Sequence, residues 1–436
     1  MSFPLWSKAL CALAVAGYAV NLVTAQTTPT AVPTPESGGV APAVQTVQGM
    51  PPVVVANNLY SETGVGRISA ATAGALTRVY VPNRSDNTVS VIDPATLTVV
   101  DKFKVGINPQ HIVPSWDLKT LWVANNAEGR TDGSLTPVDP ITGKPGKSIA
   151  VDDPYNMYFS PDGQLAIVVA EAYKRLDFRD VGSMKLAYSI ATPNCPGINH
   201  ADFSIDGKFA LFTCEFGGSI TKIDLINRKV LDTIKLSPYF SRPDALAAIA
   251  ASTKAGDKRK KIPDPSQIGE ICATPGMPQD VRVSPDGKIF YVADMMADGV
   301  HVVDGESFKQ IDFIATGIGA HGLYPSRDGK SLYVANRGSN KIRGTPGGKG
   351  SVSVIDFATR KVVKTWPIPG GGSPDMGNVS ADGAHLWLSG RYDNVVYRFD
   401  TQSGDVVKVK VGREPHGLTV WPQPGRYSLG HTGNLR

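Results

Sequence analysis

The chain has 436 residues, a formal net charge of +5 and 19% charged residues, with 45 glycines and 33 prolines. This turn-rich composition excludes an extended helical protein, and the small, scattered positive charge argues against a dedicated nucleic-acid-binding protein. The length allows two or three domains, but a repeat runs through most of the chain and favours one large all-β domain.

The N-terminal segment has the features of an export signal. Lys8 precedes the apolar run ALCALAVAGYAVNLV, which ends in a V-x-A type cleavage site before Gln26. We therefore expect residues 1–25 to be a signal peptide, the mature protein to be periplasmic or secreted, and no integral membrane span to be present. The next residues consist of Thr, Pro, Ala, Gly and Val with hardly a charge, so we predict a disordered leader and linker over 26–74.

Between residues 108 and 424 one motif recurs seven times. The copies are NPQHIVPSWDLKTLWVAN, DPYNMYFSPDGQLAIVVA, GINHADFSIDGKFALFTC, MPQDVRVSPDGKIFYVAD, GAHGLYPSRDGKSLYVAN, SPDMGNVSADGAHLWLSG and EPHGLTVWPQPG. A period of about forty residues, built from short apolar runs and turn residues, is typical of a toroidal array of small sheets. The Asp-Gly turns, such as Ser204 to Lys208, are suited to tight hairpins within each sheet.

The first unit begins without its innermost strand, and the last unit provides one. RVYVPN, TVSVIDP and TVVDKFKVG alternate apolar and polar residues as short antiparallel strands do, while PHGLTVWPQPG offers a single inner strand. Pairing these segments closes a ring, so we predict a seven-bladed β-propeller over residues 75–436. Two insertions, 239–272 and 340–351, fall on one face of the disc, which is either the working face or a decorated surface.

The segments YVPN, YVAD and YVAN, followed by a charged turn and VSVID, carry a family likeness. They resemble the YVTN-type repeats of bacterial, exported seven-bladed β-propellers, and the resemblance extends from about residue 75 to 425. It implies the propeller fold. It does not define a function, because propellers of this type serve as binding proteins, scaffolds and enzymes.

A polar residue stands four or five positions before the motif serine in six copies and at the equivalent place in the seventh, which has no serine. These residues are His111, Asn156, His200, Asp280, His321, Asp375 and His416. Equivalent positions of a propeller converge on its central channel, and imidazole is the commonest transition-metal ligand. We therefore predict a metal site formed by His111, His200, His321 and His416, with copper favoured over zinc or iron. Asp280 and Asp375 are predicted catalytic groups that transfer protons or orient the imidazoles.

An alternative explanation is that repeat duplication produced these histidines as hydrogen-bonded channel residues. The other three histidines, His301, His385 and His431, fall outside the repeated position and are predicted to be structural. His431 is the exception if the C-terminal tail folds back towards the channel.

The residue after each second strand forms a further ring on the same face. In order these residues are Arg84, Asn126, Glu171, Glu215, Met295, Arg337 and Arg391. An arc of arginines beside histidines suits a carboxylate or another anion, so we predict that Arg84, Arg337, Arg391, Glu171 and Glu215 bind the substrate. The alternative is that the arginines pair with acids such as Asp86 and Asp393 in a solvated rim.

Three cysteines remain after removal of the signal peptide: Cys195, Cys214 and Cys272. In an oxidising compartment we expect one disulfide and one buried thiol. Cys195 and Cys272 both lie in loops just before the motif in neighbouring units, and we predict that they form the disulfide.

The sequence lacks a G-x-S-x-G elbow, a phosphate-binding loop, an H-E-x-x-H motif and a C-x-x-C pair. Any reactivity should therefore come from a bound metal or a docked cofactor. We predict an exported, copper-dependent oxidoreductase or lyase-like enzyme that acts on a small anionic substrate at the channel mouth. The alternative is a non-catalytic binding or scaffold propeller for a partner protein, peptide or glycan. Binding of single-stranded nucleic acid is a third class, and it would need surface stacking residues.

Overall fold

The computed structural model describes residues 43–238, 276–342, 344–431 and 434–436. These residues form seven antiparallel sheets and three short 3₁₀ helices, at Ala70–Thr72, Arg84–Asp86 and Glu215–Gly217. Six sheets have four strands and one has five. We call the sheets blades and number them by the motif copy that each contains.

In chain order, β1 (Arg78–Asn83), β2 (Thr88–Asp93) and β3 (Thr98–Lys104) belong to blade 7. Blade 1 contains β4 (Pro109–Pro114), β5 (Leu121–Asn125), β6 (Ser134–Asp139), β7 (Lys144–Pro145) and β8 (Ile149–Ala150). Blade 2 contains β9 (Pro154–Phe159), β10 (Leu165–Ala170), β11 (Arg175–Asp180) and β12 (Leu186–Ala191). Blade 3 contains β13 (Ile198–Phe203), β14 (Phe209–Cys214), β15 (Ser219–Asp224) and β16 (Lys229–Lys235).

Blade 4 contains β17 (Pro278–Val283), β18 (Ile289–Asp294), β19 (Gly299–Asp304) and β20 (Lys309–Ala315). Blade 5 contains β21 (Ala320–Pro325), β22 (Ser331–Asn336), β23 (Ser351–Asp356) and β24 (Lys361–Pro367). Blade 6 contains β25 (Pro374–Val379), β26 (His385–Gly390), β27 (Val395–Asp400) and β28 (Val406–Lys410). The last strand, β29 (Thr419–Trp421), pairs antiparallel with β1 as the inner strand of blade 7.

The repeated turns hold each inner strand to its neighbour. In blade 3, Ser204 Oγ donates to Asp206 Oδ1 at 2.7 Å and accepts from the Phe209 amide at 3.1 Å. Gly207 has a φ of 76°, a conformation that glycine adopts without steric cost. Since the same motif recurs along the chain, the inner strands begin at equivalent heights and present equivalent residues to the channel.

The apolar core lies between adjacent blades. One cluster joins the inner part of blade 7, through Val79 and Val420, to Trp387 and Val396 of blade 6. Each blade buries one face against the blade before it and one against the blade after it. The apolar side chains of the inner strand therefore pack between blades, and the first residues of that strand lie at the channel.

The segment before the first strand differs from the prediction. Met50 and Leu59 are buried among blade residues, the Leu59 amide donates to Pro285 O at 2.8 Å, and the Tyr60 hydroxyl donates to Val283 O at 2.7 Å. The predicted disordered leader over 26–74 is therefore wrong for residues 43–74, while 26–42 lie outside the described residues. The segment cannot build a core of its own, but it fills apolar grooves that the blades supply.

The predicted Cys195–Cys272 disulfide is also wrong. Cys195 bonds to Cys214, with the two Cα atoms 4.8 Å apart, and Cys272 lies outside the described residues. Cys214 ends β14 and is paired in the sheet with Ile198, so it lies next to the loop that holds Cys195. The prediction paired loops of two neighbouring units. In the structure, the loop before β13, which holds Cys195, lies beside the end of β14 in the same blade.

The insertion at 239–272 lies outside the described residues, while 340–351 connects β22 to β23. The Gly350 amide donates to Gly372 O at 3.1 Å, and the Tyr392 hydroxyl donates to Ile342 O at 2.7 Å, so blade 6 holds this connection. Within the described ranges, no helix has the length and apolar character needed to cross a bilayer.

Candidate functional site

The seven polar positions lie around the channel because the inner strands start with an irregularity. In blade 3 the pairing of β13 with β14 shifts register between Ile198 and Ala201, and similar shifts occur in blades 1, 2, 4, 5 and 6. A bulge of this kind turns a side chain away from the sheet. His200 occupies the shifted part, and all seven polar residues are buried.

Three imidazoles gather around that of His111. Its ring centroid lies 4.7 Å from that of His416, 5.1 Å from that of His200 and 5.2 Å from that of His431. Neither ring nitrogen of His111 has a hydrogen-bond partner among the described residues. Since an unpaired buried polar atom is costly, this ring lies where a further partner would be stabilising.

His431 reaches the cluster because the C-terminal tail folds back. The His431 amide donates to Met157 O at 3.1 Å, and the Phe159 amide donates to Leu429 O at 2.9 Å, so the tail pairs with the inner strand of blade 2. Gly430 allows this approach, since a Cβ atom there would lie 2.5 Å from Met157 O. The exception considered for His431 is therefore what the structure shows, although no repeat motif marks this residue.

One group of possible ligands consists of His321, Asp375 and His416, whose candidate atoms lie within 4.8 Å of one another. His321 Nδ1 is 2.7 Å from Asp375 Oδ1, and His416 Nε2 is 3.8 Å from Asp375 Oδ2. His416 Nδ1 donates to the carbonyl oxygen of Gln110 at 3.1 Å. The lone pair of His416 is therefore on Nε2, which has no hydrogen-bond partner among the described residues.

A second group consists of His200, Asp280 and His431. Here the Asn156 amide nitrogen lies 3.3 Å from His200 Nδ1 and 3.0 Å from His431 Nδ1, while Asn156 Oδ1 accepts from the Met157 amide. The same nitrogen lies 3.2 Å from the Tyr158 hydroxyl. An amide nitrogen only donates, so when its two protons point to the imidazoles, both rings accept at Nδ1 and carry their proton on Nε2. His431 Nε2 lies 3.4 Å from Asp280 Oδ1. The two groups contain the same residue types but differ in proton placement.

The charge states favour cation binding in the first group. Burial holds the pKa values of His111 and His416 well below 6.5, so both rings are neutral at neutral pH. Burial acts to raise the pKa of Asp375, but its interactions with His321, Arg337 and His416 outweigh burial and hold that pKa well below 3.8. Neutral imidazole and ionised carboxylate are the forms that bind metals.

The four histidines predicted as ligands of one ion do not form one group. His321 and His416 are grouped with Asp375, whereas His200 is grouped with Asp280. Both carboxylates thus lie among the candidate ligands and not behind the imidazoles. The reason is geometric, because blades 5, 6 and 7 place three consecutive positions side by side, while His200 lies on blade 3.

A cavity of about 360 Å³ lies next to the first group. Its lining includes His321, Tyr155 and four of the predicted substrate residues, Arg337, Arg391, Glu171 and Glu215. Arg391 Nη1 is 3.8 Å from Asp375 Oδ2, and Arg337 Nε is 3.9 Å from Asp375 Oδ1. Residues from both predicted rings, the channel position and the position after the second strand, therefore line one cavity.

Arg84 differs from the other predicted substrate residues. It does not line the cavity, and it forms ion pairs with Glu128 and with Glu414, the latter at 3.1 Å. The alternative of pairing with neighbouring acids therefore fits Arg84, although its partners are Glu128 and Glu414 and not Asp86 or Asp393. Asp86 accepts from Arg413 Nε at 2.7 Å, and the Asp393 carboxylate accepts from Ser373 and Tyr397.

The structural role predicted for His301 is confirmed. Its Nε2 lies 3.1 Å from Asp294 Oδ2, and Gln310 Nε2 lies 3.1 Å from its Nδ1. Both ring nitrogens are used, and the residue lies in β19, away from the channel position. This pattern contrasts with the unpaired nitrogens of the channel histidines.

Seven blades, closed by pairing of β29 with β1 around a buried polar channel, define a seven-bladed β-propeller. The profile of one family, the YNCE-like beta-propeller, matches residues 37–198 and 262–424, which is more than half of the chain. The protein therefore belongs to the YNCE-like beta-propeller family, and the predicted propeller fold and YVTN-type likeness are confirmed.

Several solved structures share the fold at low sequence identity. A putative 6-phosphogluconolactonase from Bacteroides uniformis is 16% identical, with a TM-score of 0.57, and the match covers 79% of this chain and 99% of that one. The dihydro-heme d1 dehydrogenase NirN, in complex with DHE, is 15% identical with a TM-score of 0.53, covering 79% and 75%. A functionally unknown protein from Desulfotomaculum acetoxidans is 14% identical with a TM-score of 0.55, covering 77% and 98%. None of the curated proteins matches the sequence significantly. These likenesses show the fold alone.

Proposed function

We propose that the propeller binds one first-row transition-metal ion through His321, Asp375 and His416, and that the adjoining cavity admits a small anionic ligand. His111 offers a further nitrogen, since its ring centroid is 4.7 Å from that of His416. The single observation that supports this proposal most strongly is the His416 Nε2 lone pair, which is buried and unpaired beside an ionised carboxylate.

The hydrogen bond made by the second ring nitrogen of His416 supports this assignment. A metal-binding histidine usually donates its other ring proton to a carbonyl or carboxylate, which sets its tautomer and orientation. His416 does so to the Gln110 carbonyl at 3.1 Å. His200 does not, because Asn156 donates to its Nδ1. The proposal therefore replaces the four-histidine site with a two-histidine, one-carboxylate site.

Copper remains the first candidate for the ion. A given site of nitrogen and oxygen ligands binds Cu²⁺ more tightly than the other divalent first-row ions. The carboxylate makes iron(II) the second candidate, since two histidines and one carboxylate with open positions also suit non-haem iron. Either ion would supply redox or Lewis-acid chemistry beside the cavity, as an oxidoreductase or lyase-like enzyme requires.

The cavity supports the anionic part of the proposal. Arg337 and Arg391 both line it, and guanidinium groups match carboxylates and similar anions with paired hydrogen bonds. His321 lines the same cavity, so a molecule held by the arginines would lie beside the metal group.

Export is part of the proposal as well. Stable disulfides persist in oxidising compartments such as the periplasm, and Cys195–Cys214 agrees with the signal-like segment at residues 1–25. Fractionation of cells, with detection of the processed N-terminus, tests this part independently of the metal.

Metal titration of the purified, chelator-treated protein tests the centre. We expect one equivalent of Cu²⁺ by elemental analysis, at least about tenfold weaker binding in His416→Ala and Asp375→Asn, and little change in His200→Ala. His385→Ala is the matched control, because His385 lies at the start of β26, outside both groups.

The competing outcomes are distinct. Wild-type protein that binds no copper, iron or zinc would overturn the metal proposal, and a cavity that still binds anions would then indicate a non-catalytic binding propeller. Equal losses in His200→Ala and His416→Ala would restore the four-histidine site predicted from the sequence.

A further inference from the structure

The cavity has two walls of opposite charge. Arg337 and Arg391 follow inner hairpins of blades 5 and 6, while Glu171 and Glu215 occupy the same position on blades 2 and 3. Each glutamate lies three blades of seven from its arginine counterpart, so the two pairs face each other across the channel axis. All four side chains line one space of about 360 Å³.

Tyr155 lines the same cavity. Burial raises the pKa of its hydroxyl, the charges of Glu215 and Glu171 raise it further, and the charge of Arg391 lowers it. Charged groups of both walls therefore act on one side chain of the lining.

The charged groups differ in how much of their bonding capacity the protein uses. The Nη atoms of Arg337 donate to Met295, Ile342 and Tyr392, whereas the Nε atoms of Arg337 and Arg391 have no hydrogen-bond partner among the described residues. The carboxylate of Glu171 forms no ion pair within the described parts of the chain, although Lys174 lines the same cavity at its exposed rim. Glu215 accepts a single amide contact, from Asn199 at 2.9 Å.

Two carboxylates that share a space oppose each other's ionisation. Burial raises the pKa of Glu171 well above 4.5, and the charge of Glu215 raises it further. A positively charged ligand group placed between the two carboxylates would offset their repulsion, because an opposite charge nearby favours the ionised form of both. A purely anionic ligand would offer the glutamates no positive partner. The arginines lie 3.8–3.9 Å from the single carboxylate of Asp375, so a ligand carboxylate would give the two guanidinium groups a second one.

We propose that the cavity binds a small zwitterion, an amino acid whose carboxylate contacts Arg337 and Arg391 and whose ammonium group contacts Glu171 and Glu215. The volume lies at the lower end of the range of about 300–1,000 Å³ that is usual for small-molecule sites. The carboxylate end would then lie beside His321 and Asp375, and the inference rests on the anion-binding part of the proposed function.

Calorimetry with matched ligands tests the proposal on both metal-free and copper-loaded full-length protein. The probes are glycine, acetate and methylamine for short spacing, and 4-aminobutyrate, butyrate and butylamine for longer spacing. We expect one of the two zwitterions to bind at least about tenfold tighter than either of its single-charge counterparts, since both walls then gain a partner.

Variants of the acidic wall separate the two ends of the ligand. In the double variant Glu171→Gln, Glu215→Gln, the affinity for the zwitterion should fall to that for the plain carboxylate. The affinity for the plain carboxylate should stay the same or rise. Arg391→Gln should weaken the binding of both ligands. Lys185→Ala is the matched control, because it removes an exposed charge of blade 2 that does not line the cavity.

A wild-type protein that binds acetate or butyrate as tightly as the zwitterions would overturn this inference and leave the anion site intact. Equal losses of zwitterion and carboxylate in the double glutamine variant would also overturn it. The metal stoichiometry is measured separately on the same samples, so failure of the metal proposal is recognised independently of the ligand result.

Discussion

His416 donates its Nδ1 proton to the main-chain carbonyl of Gln110 at 3.1 Å, and this bond joins blade 7 to blade 1 at the level of the channel. The Gly417 amide donates to the same carbonyl at 2.8 Å. One peptide group thereby sets both the tautomer of His416 and the position of the backbone beside it. The closure of the ring and the chemistry of the candidate metal centre depend on the same contact.

Gly417→Ala should displace the His111 ring, because an added Cβ atom would lie 2.0 Å from His111 Nδ1. We expect a loss of about 1–3 kcal/mol in the free energy of unfolding, as for other overpacked cores. Copper affinity should fall as well, although no ligand is deleted. Urea unfolding and copper titration measure both effects. Gly182→Ala is the control, since its nearest neighbour is 3.6 Å away, and wild-type stability in Gly417→Ala would contradict the prediction.

Ligand binding in the cavity should depend on pH through Glu171. Its pKa is raised by burial and then by Glu215 and Asp153, while Arg84 and Arg391 lower it. The side chain is neutral below this raised pKa and charged above it. Nitrate, which keeps its charge throughout, should therefore bind more weakly as pH rises through that value, whereas a zwitterion should bind more tightly.

Glu171→Gln should flatten both pH profiles, because glutamine does not titrate. Calorimetric titrations between pH 5 and 9 provide the measurement, with Lys174→Ala as a control for general rim charge. Opposite slopes for the two ligands are the specific expectation, and parallel slopes would show that Glu171 does not contact the ligand.

The repeat allowed the fold and the channel positions to be predicted. Each copy carries its own turn and its own strand period, so His200 and His321 could be aligned without structural information. The propeller then places aligned residues around one axis. The same logic placed Glu171 and Arg337 at the cavity, because both follow the second strand of their blades.

Features outside the repeat were not predictable in this way. His431 reaches the channel through a tail whose backbone bonds to Met157 and Phe159, and nothing in its local sequence encodes that partner. The positions of the imidazole protons could not be predicted either. The sequence shows Asn156 as one polar residue of seven, but it does not show that the Asn156 amide contacts two imidazoles. Cys214 was missed because pairing across a hairpin depends on register.

The tail should be held chiefly by Arg436. Its guanidinium group donates to Asp202 Oδ1 at 3.0 Å and to the carbonyls of Phe203 and Ser204, and the pair is almost fully buried. Arg436→Ala leaves the Asp202 charge without this partner, which typically costs about 3–5 kcal/mol. Arg413→Ala breaks an exposed pair and should cost less than about 1 kcal/mol. Equal costs in urea unfolding would contradict the assignment.

We expect Asn156 to keep the second histidine group from binding a metal. Its amide donates to His200 Nδ1 and His431 Nδ1, which keeps both Nε2 atoms protonated. In Asn156→Asp the carboxylate becomes an acceptor, so the ring protons move to Nδ1 and the Nε2 lone pairs become available beside Asp280. We expect this variant to bind a second equivalent of copper or zinc, while the wild type binds one.

The metal-free variant should also be less stable than the wild type, since it buries a further charge, and added metal should restore stability by mass action. Elemental analysis after gel filtration and thermal unfolding with and without metal are the measurements. Asn156→Leu is the matched control, because it removes the amide without supplying an acceptor and should not add a second equivalent. If both variants still bind one ion, proton placement by Asn156 is not what separates the two groups.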